Sequence, residues 1–271
     1  MGFVKNINMK YLIIVIIAFL LSSISIRNKQ KEFNVLNKKN SAFGVGEKLR
    51  YRVSYGIIDA GEVTLEVKSS KKKINNKEMY HVVGEGRTLG GFNAFYKVRD
   101  KYESYIVKDE MYPLYFKRRV NEGGYKISQD YSFFPNKNKV QTKSKSFKTP
   151  HGIQDMLSSF YYARTLDFSS IQKGKIFEFD CFMDNEVYRL KIKYVGDEII
   201  TIRKGKFSCH KFVPVVQTGR YFKSEEDVNF WITNDKNHIP VLVKAKIPVG
   251  TVKLHLVEWN GLKNNLESKQ N

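Results

Sequence analysis

The chain has 271 residues, 42% of them hydrophobic and 14% aromatic, enough to bury a core and too apolar for global disorder. It carries 47 Lys+Arg against 27 Asp+Glu, a formal net charge of +20, which favours anionic partners. The lysines are scattered on the polar side of alternating segments, and no RNP-type aromatic motif, zinc-finger spacing or basic helix is present, so nucleic-acid binding is not expected.

The amino terminus sets the expected compartment. Lys5 and Lys10 precede an uncharged apolar run from Tyr11 to about Ile26, the pattern of a secretory signal. Ser23 and Ser25 have the small-residue spacing that permits cleavage after Ser25. The run of ~16 residues is short for a spanning helix, which needs about 20. Arg27, Lys29 and Lys31 follow it directly and oppose translocation, so an uncleaved anchor is the alternative. Residues 1–26 are therefore read as a signal peptide or N-terminal membrane anchor, with the rest exported to the periplasm or cell envelope. Cys181 and Cys209 fall on apolar strand faces and read as buried free thiols; pairing in an oxidising compartment is the alternative.

Residues 27–42 are polar and Lys/Asn-rich, a linker. A single β-rich domain is expected over 43–260. It opens with two alternating stretches, Glu47–Gly56 and Glu62–Ser69, joined by a reversal bounded by Gly56 and Gly61. Further strands are expected over Glu78–Glu85, Tyr96–Val107, Leu114–Asn121, Gly124–Phe134 and Lys139–Ser146. The stretch "GEGRTLGGF" reads as a bent strand or bulge, because it lacks the spacing of a phosphate loop. One helix is predicted over about 151–166, with Thr149 as N-cap and Pro150 in the first turn. Its apolar face holds Ile153, Met156, Leu157, Phe160 and Tyr161. Strands resume at Ile176–Met183, Val187–Val195, Ile199–Lys204, Lys206–Val216, Asp227–Thr233, Val241–Ile247 and Val249–Trp259. A polar tail over 261–271 reads as frayed.

A faint repeat is visible. "VKDEMYPLYFKRRV" turns at Asp109 and re-enters a strand after Pro113; "ITNDKNHIPVLVKAKI" turns at Asp235 and re-enters after Pro240. Many short strands without a βαβ rhythm predict an antiparallel meander. A sheet this long must curl. The expected fold is mainly β: a strongly curved antiparallel sheet or incomplete β-barrel, with the one amphipathic helix on its concave side.

Strand parity singles out two charges. Asp100 points with Tyr96, Val98, Tyr102 and Ile106, and Arg118 with Leu114, Phe116 and Val120. A reversal near Asp109–Glu110 would set Asp100 opposite Arg118, either as an inward ion pair fixing register or as a polar anchor in a ligand cavity. Tyr51, Tyr55, Tyr96, Tyr102, Phe116, Tyr131, Phe133, Phe160 and Tyr161 would line the concavity, as an aromatic core or as a pocket wall. His81, His151, His210, His238 and His255 are dispersed. With no HExxH, CxxC, GxSxG or clustered carboxylates, no catalytic residue, metal or cofactor is implied.

The order of motifs resembles a known family. "GEKLRYRVSYGIIDAGEVTLEV", "GEGRTLGGFNAFYKVRDKYESYI", "YPLYFKRRVNEGGY", "IQDMLSSFYYAR" and "GKFSCHKFVPVV" are similar to domain of unknown function 3108, over about Phe43 to Trp259. The resemblance implies an exported, mainly β protein and transfers no catalytic residue. More loosely, the layout is similar to the carriers of lipoproteins in the outer-membrane sorting pathway, open barrels that shield acyl chains. The expected function is a non-catalytic envelope protein binding a lipid or another amphipathic molecule, or a lipidated partner, in the concavity. Its basic exterior would favour an anionic membrane surface. The alternatives are a structural module with a filled core that docks an envelope protein and, less favoured, a hydrolase acting on glycan or lipid.

Overall fold

The computed structural model describes residues 40–71, 73–74, 76–215, 227–247 and 250–270; the amino-terminal apolar run and most of the linker lie outside them. The first two strands form as the alternation predicts. In β1 (Lys48–Tyr55), Leu49, Tyr51 and Val53 are buried, and Tyr51 stands opposite Val63 of β2 (Ile58–Ser69). The reversal is tighter than expected. Gly56, at φ +60°, makes a short turn with Ile57, and β2 begins at once. Gly61 lies inside β2, where a Cβ would come within 2.9 Å of the Arg87 carbonyl oxygen.

The meander continues through β3 (Met79–Thr88), β4 (Arg99–Val107), β5 (Pro113–Glu122) and β6 (Tyr125–Phe134). The single strand expected over 139–146 is instead a small hairpin of β7 (Lys139–Gln141) and β8 (Ser146–Lys148). Between β3 and β4 the glycine-rich stretch is not a bulge. It ends β3 at Thr88 and coils into a short helix, α1 (Gly90–Phe95).

The predicted helix starts later than expected, as α2 (Met156–Arg164). Its cap is Asp155 rather than Thr149. The Asp155 carboxylate accepts the N–H groups of Leu157 and Ser158, both at 2.8 Å, and the Ser158 hydroxyl accepts the Asp155 N–H at 2.7 Å. The preceding residues cannot join the helix. Gly152 has φ +73°, and Gln154 forms a parallel bridge with Cys181.

The second half runs through β9 (Ile176–Met183), β10 (Glu186–Ile202), β11 (Gly205–Pro214), β12 (Val228–Thr233), β13 (Pro240–Ile247) and β14 (Gly250–Asn260). Two expected strands merge in β10, where a bulge at Gly196 (φ +136°) absorbs the break. The polar tail is not frayed. Its β15 (Lys269–Gln270) pairs with β11, Ser268 is buried, and Asn264 Nδ2 donates to the Ser41 carbonyl at 2.8 Å. The linker likewise ends inside the fold, since Asn40 and Ala42 are buried.

All of these strands belong to one open antiparallel sheet. It runs from β8 back to β1, crosses to β14, and continues back to β9. Each half is thus a meander, and the halves meet where the first strand pairs with β14. The repeat is structural as well. Pro113 and Pro240 open β5 and β13, and two residues earlier Met111 and His238 both have left-handed backbones, at φ 58° and 46°. Alternate turns emerge at the same end of the sheet. One end carries the β1–β2 turn, the β3–β4 connection with α1, and the β5–β6 and β9–β10 turns. The other carries the β4–β5 and β12–β13 turns and the entry of the chain at Asn40.

α2 fills the concave side. Gly84 makes room for Leu157, whose Cδ2 would lie 3.2 Å from a Cβ there, and the Tyr161 ring meets Phe43 edge-on at 4.7 Å. Arg164 and Glu47 form a fully buried ion pair. Cys181 and Cys209 are buried free thiols, as read from their strand faces.

Candidate functional site

Asp100 and Arg118 both point inward and are buried, as parity predicts. They are not partners. The β4–β5 register sets Arg118 opposite Tyr102, and Lys101 opposite Arg119, so Asp100 lies two positions along. The turn that sets this register is longer than expected: residues 108–112 separate the strands, Met111 turns left-handed, and the pairing shifts between Tyr105 and Ile106. Arg118 instead reaches across the open sheet. Its Nη1 donates to Asp184 Oδ1 at 2.9 Å and to Gln129 Oε1 at 3.4 Å, and its guanidinium lies 5.8 Å from the centre of the Tyr102 ring.

Asp100 has a different neighbour, one that parity alone did not single out. Its Oδ1 accepts the Asn121 N–H at 3.0 Å, and its carboxyl hydrogen-bonds that of buried Glu122. Burial, then the Asp100 charge, push Glu122 up to about 7; burial also raises Asp100. The two carboxyls hold a shared proton, with the Arg118 charge nearby.

The aromatic candidates divide into separate groups. Tyr96 and Tyr102 lie near the acid pair, Tyr96 also covering Gly123, whereas Phe116 packs between Tyr102 and Tyr131, at 6.5 and 5.8 Å. Tyr51 lies in the core of the second half with Phe212 and Phe230, and Tyr55 lies at its margin against Gly250. Phe160 and Tyr161 belong to α2, where Tyr161 is wholly buried. Phe133 is buried with Phe116 and Tyr131. These side chains act as core. Between α2 and β11–β13, the gap lined by Phe160, Phe168, Phe212 and Phe230 is about 30 Å³, room for about two waters.

The roomier site lies at the carboxyl end of α2. A cleft of about 550 Å³ opens beside Phe168, Tyr194, Asp197, His210, Asn234 and His238. Cross-strand pairing sets Asp197 opposite His210. His210 Nδ1 donates to Asp197 Oδ1 at 2.5 Å, and the same oxygen accepts the Tyr194 hydroxyl at 2.8 Å. His238 Nδ1 donates to the Arg164 carbonyl at 2.7 Å, one of the free carbonyls at the helix end. That bond leaves Nε2 as the unprotonated nitrogen, and burial holds the imidazole below its usual range, neutral at pH 7. The Phe168 ring lies between the two imidazoles, 5.7 and 4.7 Å from their centres. The cleft also carries Asp167, Asp235 and Glu267 but a single lysine, Lys236. In a chain of charge +20 this is an acidic recess. Among the described residues no hydroxyl bonds to His210 and no group of three ligating side chains is placed to hold a metal. A second cleft of about 270 Å³ opens near His151 and Gln154.

An open antiparallel sheet curled around a single plugging helix, with its recess at the helix end, makes this a β-barrel-like protein. The chain belongs to the family described as "Protein of unknown function (DUF3108)", whose family model matches residues 50–257. It is also similar to the solved β-barrel-like protein of domain of unknown function DUF1849 from Brucella abortus. That likeness has a TM-score of 0.51 at 10% identity and covers 80% of this chain and 97% of that one. A likeness to the hypothetical protein CT021 from Chlamydia trachomatis has a TM-score of 0.36 at 11% identity, covering 84% and 92%. No curated protein matches significantly.

Proposed function

We propose that this is an exported, non-catalytic binding protein of the cell envelope. Its ligand is a small amphipathic molecule with a cationic group, held in the cleft at the end of α2 rather than within the curve of the sheet. The observation that carries this reading is the contrast in room, about 550 Å³ in the cleft against about 30 Å³ between α2 and β11–β13. The first volume falls within the range of about 300–1,000 Å³ usual for small-molecule sites. Phe168 and Tyr194 supply apolar wall, and Asp167, Asp197 and Glu267 supply negative potential. Export rests on the basic and apolar amino-terminal pattern.

Titrating octylammonium and octanoate separately into the full chain by calorimetry tests the reading. Octylammonium should bind, and Phe168→Ala should abolish that binding. Because Phe168 is buried, the exposed Glu267→Gln variant is the second probe and should weaken binding by several-fold. Binding of octanoate alone, or octylammonium affinity untouched by both variants, would return the search to the curve of the sheet.

A further inference from the structure

At the other end of the sheet from this cleft, the turns carry exposed apolar side chains. Ile57 at the β1–β2 tip is 96% exposed, and Ile58 beside it 56%. Phe95 at the end of α1 is 77% exposed, and Tyr125 beyond the β5–β6 turn 64%. These tips adjoin one another. Leu89, just before α1, donates its N–H to the Ala60 carbonyl at 3.0 Å, and Gly123 donates to the Lys97 carbonyl at 2.9 Å. The turns are built to project: Gly56, Gly123 and Gly124 all have positive φ, so each hairpin reverses within two residues and its neighbour faces outward. Isolated exposed apolar residues are ordinary; adjoining tips at one end of a sheet mark an interaction surface.

The charges around the tips select the partner. Lys97, Arg99 and Lys126 are exposed next to Phe95 and Tyr125, and Lys143 and Lys145 are exposed on the β7–β8 turn at the same end. Three carboxylates there are held by arginines, Asp59 by Arg203, Glu62 by Arg87 and Asp184 by Arg118, each at 2.9 Å, while Glu186, at the start of β10, accepts the Tyr188 hydroxyl at 3.1 Å. Aromatic and aliphatic tips ringed by Lys and Arg match the interface of a negatively charged bilayer, where the rings sit at headgroup depth and the cations meet the phosphates. We propose that this end of the sheet docks onto an anionic lipid bilayer, with Ile57, Phe95 and Tyr125 entering the interface. The proposal is independent of the cleft and of its ligand.

The test must separate docking through the tips from attachment through the apolar amino-terminal run. The full chain carries an environment-sensitive fluorophore on a cysteine at position 95 (Phe95→Cys) or, as control, at position 134 (Phe134→Cys) at the opposite end. Vesicles are either phosphatidylglycerol with phosphatidylcholine or phosphatidylcholine alone. The label at 95 should shift to the blue and be quenched by lipid-borne quenchers on the anionic vesicles only, and the label at 134 should do neither. Lys97→Gln with Lys126→Gln, or 0.5 M salt, should cut the response at 95 about tenfold or more. Chains that float with anionic vesicles while the label at 95 stays unshifted would overturn the proposal. So would equal shifts at 95 and 134, or equal shifts on both vesicle types.

Discussion

Arg164 at the last turn of α2 grips Glu47, just ahead of β1, with both terminal nitrogens: Nη1 to Oε1 at 2.6 Å and Nη2 to Oε2 at 2.7 Å, with both side chains buried. The Asn237 carbonyl accepts from Arg164 Nε at 3.1 Å, and the rings of Phe43 and Tyr161 lie 5.2 and 5.1 Å from the guanidinium. One residue thus fastens the helix to the first strand and to the β12–β13 turn. Arg164→Met strands a carboxylate in the core and should lower unfolding free energy by about 3–5 kcal/mol in urea titration. Glu47→Leu combined with Arg164→Met should recover most of that loss. A double variant no more stable than the single would show that the helix depends on the charge pair itself.

The Asp100–Glu122 pair makes stability depend on pH. Glu122 ordinarily titrates near 4.5 and is pushed to about 7 in the fold, by burial and then by Asp100. The folded chain therefore holds a proton that the unfolded chain has lost, and stability falls as pH rises from about 4.5 to about 7. Asp155, pushed by burial to about 7, contributes with the same sign. Urea midpoints at pH 5 and pH 7.5 should differ in the wild type, and Glu122→Gln should reduce that difference without removing it. An unchanged difference would locate the shared proton elsewhere.

Asp155 serves two elements at once. It caps α2 and accepts the Ser104 hydroxyl of β4 at 2.6 Å. Asp155→Ala should cost about 2 kcal/mol or more, a lost cap plus a stranded hydroxyl. Asp155→Asn keeps an acceptor oxygen and should cost less than half as much. Equal losses would assign the effect to charge rather than to capping.

Cys181 and Cys209 are buried without a bond between them, and burial raises both thiols. A thiol reagent should leave the native chain unmodified at pH 8 and label two sites per chain in urea. Rapid labelling of the native chain would mean that β9 or β11 opens readily.

Where a strand runs was legible wherever one face is apolar and the other polar: β9 falls where its alternation sets it, and β1 within a residue. Local turn chemistry gave Pro113 and Pro240 their places. Register was harder, because a turn one or two residues longer moves every pairing, and that separates Asp100 from Arg118. The helix start was misplaced because Thr149-Pro150 carries a cap signature, whereas Asp155 and Ser158 make the real one. The cleft was out of reach as a whole, since Arg164 and His238 meet only because the sheet curls around α2. Its Asp197–His210 pair alone had a nearby signal, a hairpin centred on the turn before Gly205.

The pairing of β1 with β14 sets Lys48 beside Asn260 in the middle of the sheet rather than at its edge. Along the chain β1 meets β2 at once, whereas its other neighbour, β14, is the last strand but one. The first meander must wait with its innermost edge bare, its row of N–H and C=O groups open to any passing strand. β14 therefore decides whether the two meanders become one sheet, since until it pairs that edge of β1 has no partner.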